Sequence, residues 1–211
     1  MRSLFYLSCL ILFSIFSCRK GSPIVEADSG CISLGRFSYN VSKADSAAAV
    51  ALFKKNNISV GNLVFRRVIL NDTSTALNTN PITVYQHVQV QQYFNGLPIL
   101  NSALGYHFKN DVFQFTMGTK YTGVNLGTSQ HLRLSQVRAL YVKAAEKDIS
   151  AKDSCLVTRF GYYDVGHDNN APPSFVKAWW VTPAHAEYPL GIFRDDNGAS
   201  ITYFNGIVTL F

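Results

Sequence analysis

The five histidines are the residues of this sequence best suited to acid–base or metal chemistry. The pattern of the surrounding residues predicts that two of them lie close together. Apolar and polar residues alternate along 84–94, which includes His87, and along 100–108, which includes His107. Such alternation predicts two half-buried strands. If the loop 95–97 has three residues, the apolar residues of both strands face one side of the sheet. His87 and His107 then lie on the opposite, polar side as near-diagonal neighbours.

This polar side lacks the ligands that a metal site requires. A zinc ion needs at least a third protein ligand, and no Asp, Glu or Cys occurs between Tyr85 and Lys109. We therefore expect no metal and no cofactor there. The polar side is either solvated or covered by another part of the chain.

The sequence also lacks the common catalytic motifs. No histidine is followed by Glu, as the His-Glu-x-x-His motif of zinc peptidases requires. A Gly-x-Ser-x-Gly elbow, a phosphate-binding Gly-rich loop with Lys and a Cys-x-x-Cys pair are absent as well. The ionisable pairs His167-Asp168 and Asp195-Asp196 fall in turn-like segments, where Asp side chains bond the backbone. We expect that this chain is not an enzyme.

The N-terminus has the pattern of an export signal. A basic start precedes the apolar run 4–16, which is too short to span a bilayer. The ending Ile15-Phe16-Ser17-Cys18 resembles a bacterial lipobox, so we expect residues 1–17 to be a lipoprotein signal peptide and Cys18 to carry acyl chains such as palmitate. The protein would then be lipid-anchored to a cell-envelope membrane, periplasmic or at the cell surface, through a tether at 18–35. The alternative is an ordinary signal peptide in which the cysteine occurs by chance.

Composition indicates a globular, strand-rich chain without a nucleic-acid partner. Of the 211 residues, 47% are hydrophobic and 13% aromatic, which excludes wholesale disorder and favours strands. The net charge is +6, but Lys and Arg are scattered and form no basic stripe with aromatic residues. The pair Arg19-Lys20 lies beside the expected anchor, where it would add attraction to anionic headgroups.

Two cysteines remain once Cys9 leaves with the signal peptide and Cys18 is lipidated. In an exported chain, Cys31 and Cys155 are candidates for a disulfide. The alternative, two unpaired thiols of which one is buried, stays open because spacing does not show whether the two Cα atoms approach.

Two helices are predicted, each followed by strands. The first covers 43–56 behind Ser42 as its cap, and the second begins behind Ser135. The buried stripe predicted for the first helix consists of Ala44, Ala47, Ala48, Ala51 and Leu52. The mature chain therefore divides into two similar units, at 36–121 and 132–211, joined by a linker at 122–131.

Both units resemble modules of one peptidase propeptide. The stretch 86–99, QHVQVQQYFNGLPI, resembles the core motif of the fungalysin/thermolysin propeptide (FTP) module, and 104–112, LGYHFKNDV, resembles its second strand and turn. Asp111 stands where that family usually has Gly. The helix behind Ser135, with the later stretches AWWV at 178–181 and RDDNGASI at 194–201, is similar to a PepSY domain, although the usual acidic residues after Ser135 are missing.

The resemblance implies a propeptide without its enzyme. In thermolysin-type metallopeptidases these modules precede the catalytic domain, assist its folding and block its active site. It also implies an α+β fold of two tandem units, each a curved antiparallel sheet packed on one helix. The expected function is a non-catalytic, lipid-anchored module that binds an exported zinc metallopeptidase and inhibits it or helps it fold. The rival is a structural or ligand-binding cell-envelope lipoprotein with no peptidase partner.

Three regions are candidates for binding that partner. The first is the polar strand side, with His87, Gln89 and Gln91. The second is Trp180, which is either an exposed interface anchor or covered by the loop 166–173. The third is the C-terminus with Leu210 and Phe211, which either enters a peptidase cleft as an extended strand or is simply the last strand of its sheet.

Overall fold

A computed structural model describes residues 30–74, 83–146, 155–167 and 171–207. In these ranges the chain forms ten strands and two helices, and the strands make two sheets. The expected α+β class is therefore wrong: the fold is β-rich and is not a pair of sheet-on-helix units. The reason is that both sheets bury surface against other strands, loops and connecting segments as well as against a helix.

The first sheet is antiparallel. Its strands are β2 (Leu63–Ser74), β3 (Thr83–Phe94), β5 (Leu104–Lys109) and β6 (Val112–Met117), in the order β2-β3-β5-β6, and the short β4 (Leu97–Pro98) pairs with β3. One side of this sheet buries Val88, Val90, Leu104, Tyr106 and Phe108.

Helix α1 (Lys43–Lys55) packs on that buried side. Ser42 caps it as predicted, because the Ser42 hydroxyl oxygen accepts the backbone N–H of Asp45 at 3.0 Å. The buried residues of α1 are Ala49, Leu52 and Phe53, so the predicted alanine stripe is wrong apart from Leu52. Phe53 fits between large side chains of the sheet, and its ring centroid lies 4.7 Å from that of Tyr106.

The second sheet has the strand order β1-β7-β8-β9-β10. Its members are β1 (Ile32–Leu34), β7 (Leu156–Asp164), β8 (Phe175–Pro183), β9 (Leu190–Arg194) and β10 (Ser200–Phe204). Strand β1 pairs with β7 in parallel, and the other neighbours are antiparallel. Residues 32–34, which the sequence placed in the tether, are thus part of a sheet.

The two sides of the second sheet are covered by different parts of the chain. Helix α2 (Leu134–Ala144) packs its buried Val137 and Tyr141 on one side, where Trp179 lies. On the other side, Phe37 and Leu100 from the first half of the chain pack in a cluster with Ala178 and Ile192. The second half therefore has no complete core of its own.

Residues 99–101 join the two sheets directly. Ile99 forms an isolated bridge with Tyr162, and the backbone N–H of Leu100 donates to the carbonyl of Tyr162 at 2.7 Å. The Asn101 side chain donates to the carbonyl of Asp164 and accepts the backbone N–H of the same residue. These bonds couple the two halves that the sequence divides into tandem units.

The predicted linker 122–131 is also packed. Tyr162 donates its hydroxyl to the carbonyl of Leu126, and Lys177 donates to the carbonyl of Ser129. At its end, the backbone N–H groups of His131 and Leu132 donate to the buried carboxylate of Asp195.

A disulfide fixes the position of β1. The structure pairs Cys31 with Cys155 at an S–S distance of 2.06 Å across a sequence separation of 124 residues. Beside it, the backbone N–H of Leu156 donates to the carbonyl of Cys31 at 2.7 Å.

The expected lipidation site, Cys18, lies outside the described residues. Within the described ranges, neither helix has the length and apolar character that crossing a membrane requires.

Candidate functional site

The candidate site is the side of the first sheet that faces away from α1. Because side chains alternate along a strand, the neighbours of the buried Val88, Val90 and Tyr106 point to this opposite side. We call it the open face and define it by His87, Gln89, His107, Phe115 and Met117.

The connection between β3 and β5 determines which residues meet on the open face. The hairpin after β3 has a two-residue loop, Asn95 and Gly96, with φ of 50° and 80°, and not the three-residue loop that we predicted. A two-residue loop alone would put the apolar residues of β3 and those of β5 on opposite sides of the sheet. Residues 99–103 lie outside the pairing of these two strands and shift the register of β5. The apolar residues of both strands therefore face the same side, and His87 pairs with His107 directly. The prediction that these histidines share one face is confirmed, and the near-diagonal placement is corrected.

The two histidines are in hydrogen-bond contact. Their Nδ1 atoms are 2.7 Å apart, and Nε2 of His87 lies 3.4 Å from a carboxylate oxygen of Asp72 on β2. The ring of Phe115 stacks on that of His107, with 4.6 Å between centroids. Burial, followed by the charge of His87, lowers the pKa of His107 below its ordinary value. The neutral form of this histidine is therefore favoured near pH 7.

A groove of about 450 Å³ runs along the open face. It is lined in part by Arg66, His87 and His107 and, on the β6 side, by Met117. The groove exists because Gly105, directly opposite Met117, has no side chain to fill it.

Strand β6 forms the outer edge of the first sheet. In the described ranges it pairs only with β5, and all six of its residues are exposed. Its apolar residues Val112, Phe113, Phe115 and Met117 are 57%, 37%, 52% and 59% exposed. Natural edge strands usually carry charge or Pro, which blocks pairing with another chain, and β6 has neither.

The other predicted binding residues are placed as follows. Gln89 is exposed on the open face, but Gln91 is buried, donates to the carbonyl of Ile99 and accepts the hydroxyl of Tyr39 at 3.2 Å. Gln91 thus stabilises the fold and is not available to a partner. Trp180 is half-buried beside the cluster that contains Phe37, so it is not a fully exposed anchor. Leu210 and Phe211 lie outside the described residues.

Sequence reasoning missed Asp72, Gly105 and Met117 as parts of this site. Asp72 lies close to His87 because the pairing of β2 with β3 changes register between Ile69 and Asp72. Local sequence patterns do not predict such a change of register. The six-residue stretch of β6 without charge or Pro was visible in the sequence and could have marked the edge.

In the described part of the chain, His, Cys, Asp and Glu side chains form no group of three or more that could hold a metal ion. No protein-family model matches this chain, and no curated protein matches it in sequence.

Proposed function

We propose that this protein is a non-catalytic, lipid-anchored binding module that holds an exported zinc metallopeptidase and inhibits it or helps it fold. The observation that carries the proposal is the uncharged, apolar edge strand β6 beside the open groove. An extended segment of a partner can add to such an edge through backbone hydrogen bonds, while its side chains enter neighbouring pockets.

The exposed surface of β6 supports binding to a protein. Phe115 and Met117 face the groove side, and Phe113 packs at the rim of the α1 side, where its ring lies 5.8 Å from that of Phe108. Aromatic and methionine side chains are enriched in protein interfaces. Both sides of the strand therefore offer apolar contact to a partner strand.

The groove offers polar groups to a partner. Its described lining contains two histidines and an arginine, which can form hydrogen bonds with a bound segment. The resemblance of 86–99 to the propeptide motif suggests the class of partner. That stretch forms β3 and its hairpin, so the matching residues lie in the same sheet as the proposed binding edge.

The test is a titration of the full chain, in detergent micelles, against purified thermolysin-type peptidases from the same cell. We expect slower peptide hydrolysis, or a larger refolded yield, at micromolar concentrations of the chain. Phe115→Lys should weaken the effect because it places a charge on the edge. The matched control is Val50→Lys, which makes a similar change at an exposed position of α1 (Val50 is 41% exposed). If no peptidase is slowed or refolded, the lipoprotein without a peptidase partner replaces this proposal.

A further inference from the structure

The segment that follows β1 contacts both sheets. The rings of Phe37 and Tyr39 stack, with their planes 7° apart and their centroids 6.0 Å apart. Tyr39 donates its hydroxyl to the side chain of Gln91 in the first sheet, at 3.2 Å. Phe37 and Trp180 pack against the same buried cluster of the second sheet. Each sheet therefore holds one of the two stacked rings in place.

An arginine lies over each ring. The guanidinium of Arg66, on β2, is 5.3 Å from the ring centroid of Tyr39, and that of Arg159, on β7, is 4.8 Å from the ring centroid of Phe37. Such cation–π contacts position a guanidinium without neutralising its charge. Trp180 pairs with Arg159 across β7 and β8, so both side chains point to the same side of the second sheet. We call Phe37, Tyr39, Arg66, Arg159 and Trp180 the arginine–aromatic cluster.

The positive charge of this cluster has no counter-ion among the described residues. No described Asp or Glu side chain forms an ion pair with Arg66 or Arg159. Arg159 is half-buried, and its Nε atom is buried without a hydrogen-bond partner. Burial lowers the pKa of this guanidinium below its ordinary value. Because a charge removed from water is stabilised by an opposite charge, the cluster is suited to an anionic ligand from outside.

We propose that the arginine–aromatic cluster binds an acidic segment of another protein, whose Asp or Glu carboxylates pair with Arg66 and Arg159. A guanidinium can bind a carboxylate through two parallel hydrogen bonds. Trp, Tyr and Arg are also the residue types that contribute most to binding energy in protein interfaces. Arg66 is exposed, and the three aromatic side chains are partly exposed, so a partner can reach them.

This surface is distinct from the edge strand β6. Arg66 also lines the groove, so the two surfaces adjoin, but the cluster contains no residue of β6. The proposal names the charge of the partner segment and does not require that the partner is a peptidase.

The experiment measures the binding of a fluorescein-labelled hexaglutamate peptide to the full chain by fluorescence anisotropy. The chain is kept in micelles of an uncharged detergent at low ionic strength. We expect saturable binding that weakens as salt is added, because salt screens exposed charges. A hexaglutamine peptide of the same length should not bind. Since no peptidase is present, the result does not depend on the function proposed above.

Three substitutions locate the binding surface. Arg66→Gln and Arg159→Gln should each weaken binding by about tenfold, because each removes one charge-assisted pair. The matched control is Arg67→Gln, which removes the same charge from the next, exposed residue of β2 and should change the affinity by less than about twofold. If Arg159→Gln does not fold, the comparison of Arg66→Gln with Arg67→Gln decides the test.

Three results would overturn the proposal. The first is a wild-type chain that binds hexaglutamate no better than hexaglutamine. The second is equal affinity of the Arg66→Gln and Arg67→Gln proteins, which would mean that net charge alone attracts the peptide. The third is displacement of the peptide by inorganic phosphate far more readily than by sodium chloride at equal ionic strength, which would assign the cluster to a phosphate group.

Discussion

Replacement of Asp195 by Asn should destabilise the whole chain, because this carboxylate joins the linker to the second sheet. Asp195 is fully buried. Its Oδ1 atom accepts the indole N–H of Trp179 at 2.8 Å and the backbone N–H of Leu132 at 3.1 Å. Its Oδ2 atom lies 2.9 Å from Nδ1 of His131 and 3.5 Å from the ammonium group of Lys177.

The expected loss follows from what an amide can replace. In its best orientation, the amide of the Asp195→Asn variant keeps an oxygen for Trp179 and Leu132 but turns its NH₂ group toward His131 and Lys177. Two charge-assisted contacts are then lost. A hydrogen bond to a charged group contributes about 1.5–3 kcal/mol, and the exposure of His131 argues for the low end of that range. We expect the free energy of unfolding to fall by about 3 kcal/mol.

The loss should depend on pH. Burial alone would raise the pKa of Asp195, but the hydrogen bonds from Leu132, Trp179 and His131 outweigh burial and hold the pKa below its ordinary value of 3.8. A lowered folded-state pKa stabilises the fold fully above the unfolded-state pKa, and this contribution disappears as pH falls through the folded-state pKa. The difference between wild type and Asp195→Asn should therefore be full at pH 7 and shrink below about pH 3.8.

Urea unfolding followed by tryptophan fluorescence measures this difference, because Trp179 is one of only two tryptophans. The matched control is Asp196→Asn. Asp196 is exposed and pairs only at the surface with Arg194, at 2.8 Å, so its loss should stay within about 1 kcal/mol. An Asp195→Asn protein whose unfolding free energy at pH 7 stays within that same margin of the wild type, or a difference that does not shrink in acid, would refute this explanation.

Three further changes test the fold. Reduction of the Cys31–Cys155 disulfide, which closes a loop of 124 residues, should cost about 5 kcal/mol of unfolding free energy, and a midpoint that does not move in dithiothreitol would contradict this. Phe53→Ala should cost about 3–5 kcal/mol in urea unfolding because Phe53 is fully buried among aromatic rings; a loss below about 1 kcal/mol would show that α1 does not anchor the sheet. Tyr121→Phe removes the hydroxyl that donates to the buried carboxylate of Asp164 at 2.8 Å, and it should cost about 1.5–3 kcal/mol; an unchanged melting curve would mean that another donor replaces it.

The strands were largely predictable because alternation is a local signal. The burial of Val88, Val90 and Leu104 follows from their spacing and is what the structure shows. The excursion of residues 99–103 was not predictable, because it depends on the contact of Ile99 with Tyr162, which is distant in the sequence. For a similar reason β1 was missed: so short a strand gives no pattern, and β7 supplies its pairing.

Side-chain size explains the error in α1. The alanines of α1 recur at helical spacing, which is why the sequence predicted that they face the sheet. The sheet presents large aromatic rings, however, and the short alanine side chain does not reach them. The face with Leu52 and Phe53 buries more apolar surface, so the helix turns that face inward.

The candidate site was predictable in part. Strand parity placed His87 and His107 on one face, but Gln91 has the same parity and is buried because the Tyr39 segment covers it. Which polar residues remain open therefore depends on segments that cross the sheet, and sequence alternation does not encode them.

The most direct test of the proposed binding role is amide hydrogen exchange, measured by mass spectrometry with and without an inhibited or refolded peptidase partner. We predict slower exchange in β6 (Val112–Met117) on complex formation, because a partner strand would occupy its free edge. Unchanged exchange in β6, with protection confined to a different edge strand such as β10 (Ser200–Phe204), would contradict the proposed role.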